Sequence, residues 1–205
     1  GNVQVDRRYL EGPGNVAIEK DSYLNQIDML KKWAEAGTKN NTQFWMQISH
    51  AGRQTPGAIN PNPISPSSVQ LIIPTANYGV PVPMTVDDIE DVIERFIFVA
   101  KIAKESGFTG IQLHSAHGYL LSQFLSPDIN LRDDEWGGSI ENRSRLMLRI
   151  IEGCRAALGD DFPIAVKLNS ADFQKGGFSD LDSVKVAKFL DDAGVDVIEI
   201  SGGTY

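Results

Sequence analysis

The chain repeats one unit four times, and each unit is an amphipathic helical stretch, a glycine and a short apolar strand. The helical stretches are predicted to end at Gly37, Gly107, Gly159 and Gly194, and the strands that follow read FWMQIS, TGIQLH, FPIAVKLN and VDVIEIS. Glycine suits the left-handed residue that closes a helix. Strands that alternate with helices predict a parallel sheet built from crossover connections.

Two of the helical stretches show how the apolar residues recur at the helix period. In the first stretch, residues 21–37, one face is predicted to carry Leu24, Ile27, Leu30 and Ala34. The second stretch opens with Thr85 and Asp88 at the spacing of a capping box. Its apolar stripe is predicted to comprise Ile89, Val92, Ile93, Phe96, Ile97 and Ala100.

The strands alternate between apolar and polar residues, which distinguishes a barrel from an open sheet. An open parallel sheet is covered by helices on both faces, so its strands read as nearly continuous apolar runs. Here one face is apolar, and the other carries Gln47, Ser49, Gln112, His114, Lys167, Asn169, Glu199 and Ser201. The pattern therefore predicts an α/β fold, a partial (β/α)8 TIM barrel whose inner face ends in a polar mouth.

The number of strands predicts an incomplete barrel. About five strands are visible, the first of them beginning at Gly1, whereas a barrel of this type has eight strands and typically ~250 residues. Residues 1–205 are therefore interpreted as a single incomplete TIM-barrel domain, a piece of a longer protein.

Composition argues against two classes of partner. The formal net charge of −8 and the lack of a basic stripe argue against nucleic acid. No apolar run approaches the ~18 residues that span a bilayer, and the first residues lack the apolar segment of a signal peptide. The single cysteine, Cys154, is predicted to be a small buried residue. Because one cysteine allows no internal disulfide, a reducing, cytoplasmic setting is favoured.

The segment from Ser49 to Thr85 is not repetitive and is rich in proline, glycine, asparagine and serine. Long loops in compact domains are usually functional or disordered. Since this one follows the carboxyl end of a strand, it is predicted to be an ordered loop that covers a substrate.

The motif HSAHGYLLSQFLSP, residues 114–127, holds two of the three histidines of the chain and a tyrosine. A metal site is not favoured, because no further ligand stands beside His114 and His117. The pair is interpreted either as structural or as two neutral hydrogen-bond donors to a substrate oxygen. In the second interpretation Tyr119 is the proton donor, since a phenol with a pKa near ~10 keeps its proton at neutral pH.

Lys167 lies mid-strand and is predicted to point into the barrel. Lysine is rarely buried without a partner, and three hypotheses follow: an ion pair with Glu199 on the next strand, an anionic ligand, or a Schiff base. Gln47 is predicted to point into the same lumen and to contact an amide edge. No dinucleotide, phosphate-loop, zinc-protease or serine-hydrolase motif is present in the sequence.

The stretch SPDINLRDDEWGGSIENRSR is interpreted as architecture. Residues 136–138 are predicted to form a tight turn, and Ser139 is predicted to cap the following helix. The loop is expected to be held by ion pairs among Arg132, Asp133, Glu141 and Arg143.

Four motifs together resemble one known family. The long stretch from His114 to Arg145 resembles the core motif of the old yellow enzyme family of FMN-dependent ene-reductases and NADH:flavin oxidoreductases. QISHAGRQ, AVKLNSADF and VDVIEISGG are similar to its third, fifth and sixth strand motifs, and they occur in the same order. The resemblance implies strands 2 to 6 of the barrel, with the first, seventh and eighth missing.

The resemblance also implies a reaction and a set of roles. NAD(P)H passes hydride to FMN, and the reduced flavin passes it to the β-carbon of an activated alkene such as an enone. By this resemblance, His114 and His117 hold the carbonyl oxygen or the nicotinamide amide, and Tyr119 protonates the α-carbon. Gln47 contacts the pyrimidine edge of the flavin, and Lys167 lies near its N1 and O2.

Because strands that hold the flavin phosphate are missing by this resemblance, the activity is expected of the full-length parent. The 205-residue piece alone is expected to bind FMN poorly and to expose open sheet edges. Two alternatives remain at this point. One is a Schiff-base aldolase that uses Lys167, and the other is an inactive fragment.

Overall fold

The structure is a computed structural model that describes residues 2–204 of the chain. Its strands are β1 (Val3–Gln4), β2 (Trp45–Ser49), β3 (Ile64–Ser65), β4 (Val82–Pro83), β5 (Gly110–Ser115), β6 (Ile164–Asn169) and β7 (Val197–Ser201). Five of them form one parallel sheet in the order β1-β2-β5-β6-β7, so spatial order follows chain order. The five predicted parallel strands are confirmed, although Gly1 itself lies outside the described residues.

A helix stands between each pair of consecutive strands of this sheet, as a barrel requires. The helices are α1 (Ile27–Gly37), α2 (Val86–Glu105), α3 (Leu120–Leu125), α4 (Ile140–Leu158) and α5 (Asp180–Asp192). Short 3-10 turns cover Tyr23–Asn25, Lys39–Asn41 and Gly52–Gln54. α2 packs on α4, and α4 packs on α5, so these three helices form a continuous outer layer.

Helix α2 begins as the sequence predicts. The Thr85 hydroxyl accepts from Asp88 N, and the Asp88 carboxylate accepts from Thr85 N at 2.8 Å, which completes the capping box. A cap of this kind contributes about 1 kcal/mol to helix stability. Five residues of the predicted stripe are buried and one is partly buried, and they pack into the core: Ile89, Val92, Ile93, Phe96, Ala100 and Ile97.

Helix α1 departs from the prediction at its first residue. The stretch opens with the 3-10 turn Tyr23–Asn25, and the α-helix starts only at Ile27. Leu24 is therefore not on the core face and is 71% exposed, whereas Leu30 and Ala34 are buried as predicted. The reason is the change of period, because a 3-10 turn rotates each residue further than an α-helix does.

The predicted helix-ending glycines fall into two groups. Gly107, Gly159 and Gly194 have positive φ, at +94°, +81° and +74°, as left-handed C-terminal residues do. Gly37 does not, and a Cβ there would overlap the ring of Phe44. At Gly37 glycine is required for close packing, not for its backbone conformation.

The loop before α4 has the predicted cap but different ion pairs. Ser139 Oγ accepts from Asn142 N at 3.3 Å, as an N-terminal cap does. Arg132 pairs with Asp134 at 2.5 Å, and Arg143 pairs with Asp182 on α5 at 3.2 Å. The prediction that Asp133 and Glu141 take part is wrong for the described residues. Arg132 pairs with the residue after Asp133, and Arg143 pairs with a residue of α5.

The apolar strand residues lie under the helices, and the polar ones lie on the opposite face. Fully buried positions of the helix-covered face include Met46, Ile48, Ile111, Leu113, Ile164, Val166 and Leu168. Since all five strands are parallel, the polar residues near their carboxyl ends meet at one edge of the sheet. The alternation of the sequence therefore positions the candidate site.

The segment from Ser49 to Thr85 is an ordered loop, and β3 and β4 pair within it. Ser65 Oγ donates to Gln123 Oε1 at 3.2 Å, and Leu131 N donates to Ser67 Oγ at 2.9 Å. These bonds attach the loop to the residues that follow β5.

The environment of Cys154 and the character of the helices also bear on the predictions from the sequence. Cys154 is fully buried on α4, and burial raises the pKa of its thiol to about 12, so it is a structural residue. Within residues 2–204, no helix combines the length and the apolar character needed to cross a bilayer.

Candidate active site

The three predicted catalytic residues lie together at the carboxyl end of β5, His114 within the strand and His117 and Tyr119 in the turn after it. The ring of His114 meets that of His117 edge-on, with centroids 5.3 Å apart, and meets that of Tyr119 edge-on at 4.8 Å. His114 is 4% exposed and Tyr119 is 9% exposed. The strand end and the turn that follows it therefore hold two imidazoles and a phenol in one cluster.

Two residues of this cluster form one wall of a cavity of about 300 Å³. His117 and Tyr119 line it, and Gly202, Gly203 and Thr204 line the other side. The second wall follows β7 directly, so the cavity lies at the carboxyl-end edge of the sheet, where barrel enzymes place their sites.

A line of polar side chains crosses the inner face of the sheet beside this cluster. Gln47 Nε2 donates to Gln112 Oε1 at 2.6 Å, and Gln112 Nε2 donates to Glu199 Oε2 at 2.7 Å. Lys167 Nζ pairs with Glu199 Oε1 at 2.8 Å. Gln47 and Lys167 therefore share the lumen as predicted, and the ion pair that was one hypothesis for Lys167 is present.

Burial, and secondarily the nearby charges, favour neutral imidazoles in the cluster. Burial lowers the pKa of His114 to about 3, and the nearby His117 and Lys167 act in the same direction. Burial, with Lys167 next, also lowers the pKa of His117. The pKa of Glu199 is lowered chiefly by its bond to Lys167. At neutral pH both rings are uncharged, as the hydrogen-bond-donor hypothesis requires.

One buried atom of the cluster has no partner among the described residues. His114 Nδ1 is buried and makes no hydrogen bond. A buried polar atom without a partner is costly, and in native structures it usually indicates a missing ligand, ion or water. Other buried atoms of the described residues share this property, for example His50 Nε2, but His114 Nδ1 is the one that belongs to this cluster.

The third histidine has a different environment. His50 stacks on Tyr9 with centroids 4.8 Å apart, and its Nδ1 accepts from Gly52 N at 3.0 Å. Burial lowers the pKa of His50 to about 4. Its ring is not among the residues that line the cavity beside His117.

Three residues that the sequence did not assign to the site contact His117. Ser201 Oγ lies 2.6 Å from the ring Nε2 of His117, Asn169 Oδ1 accepts from His117 N, and Gln54 Nε2 donates to His117 O. Ser201 and Asn169 are both on the polar face that strand alternation predicts, and both end their strands. That position was the available signal, whereas no pattern indicated Gln54.

Comparison with known proteins decides the family. A family model described as the NADH:flavin oxidoreductase / NADH oxidase family matches residues 13–205. The chain belongs to this family. The resemblance on which FMN and NAD(P)H were expected is therefore confirmed at the level of the NADH:flavin oxidoreductase family.

The names of two individual relatives agree with this family. The chain is 37% identical over 211 residues to the NADH-dependent flavin oxidoreductase nadA of Aspergillus parasiticus, with 100% of this chain and 47% of the relative covered. It is 40% identical over 211 residues to an NADH oxidase of Thermoanaerobacter brockii, with 100% and 31% covered. The chain thus spans less than half the length of these two curated relatives.

A solved structure supports the barrel. The old yellow enzyme homologue from Zymomonas mobilis superposes with a TM-score of 0.85 at 25% identity, over 98% of this chain and 58% of that one. The predicted partial TIM barrel is confirmed, since the five parallel strands match part of a larger fold of this kind.

The residues of the lumen fit the cofactor of the NADH:flavin oxidoreductase family. A flavin presents an amide-like edge, for which Gln47 has a matching side-chain amide on β2. Its ring gains negative charge on reduction, and Lys167 supplies a cation on β6. The unpartnered Nδ1 of His114 lies in the cluster beside this line.

Proposed function

We propose that the protein that carries this chain is an FMN-dependent oxidoreductase that uses NAD(P)H to reduce activated alkenes, such as enones, in a ping-pong cycle. The observation that supports the proposal is the convergence of His114, His117 and Tyr119 beside one cavity, at the edge of the sheet that also carries Gln47 and Lys167. FMN, when bound, supplies the hydride chemistry, and the side chains supply placement and electrostatics.

The histidine pair binds the carbonyl oxygen of the acceptor in this proposal. Both rings are neutral at pH 7, because burial lowers their pKa values, so each has one N–H to donate. The oxygen gains negative charge as the alkene accepts hydride, and the two bonds strengthen at that moment. One such donor is typically worth about 2.7–4 kcal/mol of transition-state stabilisation.

Tyr119 completes the reduction by giving a proton to the α-carbon. Its phenol lies in the wall of the cavity, and its ring packs on that of His114. A positioned proton donor of this kind contributes typically about 10²–10⁴-fold to a rate. The two histidines thus act on the carbonyl oxygen and the tyrosine acts on the α-carbon of one conjugated system.

Gln47 and Lys167 act on the cofactor in this proposal. The Gln47 amide binds the pyrimidine edge, and the Lys167 ammonium stabilises the negative charge that reduction places on the ring. Gln112 and Glu199 connect the two residues by hydrogen bonds and an ion pair, which limits the positions that each side chain can take.

The colour of the full-length protein tests the proposal. We expect a yellow protein whose flavin absorbance is bleached by NAD(P)H and restored by an enone under anaerobic conditions. Restoration by oxygen but not by any enone would overturn the alkene assignment and leave an NAD(P)H oxidase. A colourless full-length protein that FMN does not turn yellow would overturn the flavin assignment.

The 205-residue chain alone provides a second measurement. Among the described residues β7 pairs with a strand on one side only, so the expected open edge is present there. At β1 that expectation is wrong, because Gln4 exchanges backbone hydrogen bonds with Val16 and Ile18 on the side away from β2. We expect this chain to bind FMN weakly, so that micromolar protein does not quench flavin fluorescence. Strong quenching would show that the described strands suffice for binding.

The aldolase alternative depends on a neutral Lys167 amine. Lys167 Nζ is instead held in an ion pair with Glu199 at 2.8 Å, which disfavours its attack on a carbonyl carbon. Borohydride added with a carbonyl substrate distinguishes the two reactions, because only an aldolase gains a covalent adduct on Lys167.

A further inference from the structure

His117 has a backbone conformation that residues other than glycine rarely adopt. Its φ is +60°, in the left-handed region. This conformation turns the chain directly after β5 and places the imidazole at the cavity, with Nε2 2.6 Å from Ser201 Oγ. A residue in such a conformation persists only where its surroundings hold it there.

Two buried amide side chains hold the backbone of His117. Asn169 Oδ1 accepts from His117 N at 3.1 Å, and Gln54 Nε2 donates to His117 O at 2.8 Å. Asn169 ends β6, and Gln54 ends the 3-10 turn Gly52–Gln54. Both polar groups of the His117 backbone are therefore bonded by side chains from two segments distant in sequence.

Asp172 determines which way the Asn169 amide points. Asn169 Nδ2 donates to Asp172 Oδ1 at 3.0 Å and to Gly203 O at 3.2 Å. A carboxylate and a carbonyl only accept, so the amide nitrogen faces them and the amide oxygen faces His117. Asp172 is 2% exposed and is itself held, because Phe178 N donates to its Oδ2 at 3.0 Å.

We propose that Asn169, oriented by Asp172, and Gln54 are positioning residues that form a clamp on the His117 backbone and hold it in its left-handed conformation, with its ring at the cavity. The clamp is a property of the described residues themselves. Its effect on alkene reduction rests on the proposed function, in which His117 binds the acceptor oxygen.

Nuclear magnetic resonance of the 205-residue chain tests the clamp without any flavin. The chain has three histidines, so single variants assign their ring signals. In the unaltered chain we expect a cross-ring contact between His114 and His117, whose centroids lie 5.3 Å apart, and one dominant tautomer of His117. In Asn169→Ala we expect the contact to disappear and the two tautomers to average.

Asn130 offers a matched control. It is a buried asparagine whose Nδ2 donates to Phe124 O and Trp136 O, both at 2.8 Å, and it does not contact His117. Asn130→Ala should therefore lower thermal stability yet leave the ring signals of His117 unchanged. If Asn169→Ala behaves like Asn130→Ala, losing stability alone, the proposal is wrong.

A second variant covers the case in which Asn169→Ala does not fold. Gln54→Ala removes the donor to His117 O and should produce the same averaging of the His117 ring, and unchanged ring signals there would likewise overturn the clamp. In the FMN-loaded full-length protein, Asn169→Ala should slow the step with an enone by about tenfold to a hundredfold, with FMN affinity unchanged. If the protein reduces no enone at all, the proposed function fails while the resonance experiment still decides the clamp.

Discussion

Tyr119 and His114 pack edge to face, with ring centroids 4.8 Å apart and planes at 75°. The contact places a phenol at the cavity beside an imidazole that is 4% exposed. In the proposed function the imidazole holds the acceptor oxygen and the phenol gives up a proton, so the two roles can be tested separately.

Tyr119→Phe separates the two half-reactions. The ring and its packing remain, but the proton donor is lost, so reduction of an enone should slow by about 10²–10⁴-fold. Reduction of the flavin by NAD(P)H should stay within about twofold, since no proton from Tyr119 enters that step in the proposed cycle. Rapid-mixing measurements of each half-reaction provide the rates.

Tyr23→Phe is the control for this experiment. Tyr23 packs edge-on against Phe98 of α2, with centroids 5.3 Å apart, and is not among the residues that line the cavity. Loss of the Tyr23 hydroxyl should change the rate of neither half-reaction. An equal loss of both half-reactions in Tyr119→Phe would contradict the proton-donor role.

Glu199→Gln tests the charge beside the cofactor. Glu199 compensates the charge of Lys167 at 2.8 Å, and its removal leaves a cation that stabilises reduced flavin more strongly. The midpoint potential should rise by roughly 30 mV, which is about 1.4 kcal/mol for a two-electron couple. Potentiometric titration of the flavin measures it.

The matched control is Glu152→Gln, which removes a carboxylate from the exposed side of α4. It should leave the midpoint potential unchanged. No change in Glu199→Gln would show that the ion pair does not tune the flavin, and a fall in potential would contradict the expected direction of its effect.

The acid sensitivity of the fold should depend on His50. Burial holds the pKa of His50 at about 4 in the folded chain, against an ordinary value near 6.5. Between these two values the unfolded chain binds a proton that the folded chain does not, so stability falls as the pH falls. The contribution of one such histidine is about 1.4 kcal/mol per pH unit.

His50→Gln removes the imidazole that binds this proton in the unfolded chain. The change in unfolding free energy with pH should therefore be smaller, by about 1.4 kcal/mol per pH unit between pH 6 and pH 5. Urea unfolding at several pH values measures the slope. Above pH 7.5 both proteins should have the same slope, because the unfolded histidine is neutral there. Identical slopes between pH 6 and 5 would mean that His50 is protonated in the folded state.

Gly37→Ala tests whether packing against Phe44 requires glycine. A Cβ at position 37 would overlap the Phe44 ring, and the strain should cost about 1–3 kcal/mol in unfolding free energy. At Gly12 the nearest atom to an added Cβ is 4.0 Å away, so Gly12→Ala should change stability by less than about 1 kcal/mol. Similar effects at both positions would refute the packing explanation.

The placement of Gln47, His114 and Lys167 was predictable from the sequence because strand side chains alternate with a period of two. Knowing which residues face the helices is enough to know which face the lumen. The same rule placed Gln112 and Glu199 there, although their bonds to one another depend on side-chain rotamers that no pattern encodes. The hydrogen bond that connects Gln112 and Glu199 is therefore visible only in the three-dimensional structure.

The predictions for Leu24 and Arg143 are wrong because local turn geometry and tertiary contacts override the sequence pattern there. Leu24 lies on a helix-like pattern, but the chain there forms a 3-10 turn, and the side chain is 71% exposed. Arg143 reaches Asp182 of α5 instead of a neighbour in its own loop. Neither outcome follows from the spacing of residues in the sequence. The exposure of Leu24 depends on a single 3-10 turn, and the ion pair of Arg143 depends on how α4 and α5 approach each other.

The positive φ of His117 restricts which side chains a saturation library can usefully sample there. Glycine, asparagine, aspartate and histidine tolerate that backbone, whereas β-branched and bulky residues are strained. Of the four, only histidine and asparagine can donate a hydrogen bond from the side chain at neutral pH. The shape of the turn thus favours an imidazole or a carboxamide as the hydrogen-bond donor that evolution or an engineer can install at position 117.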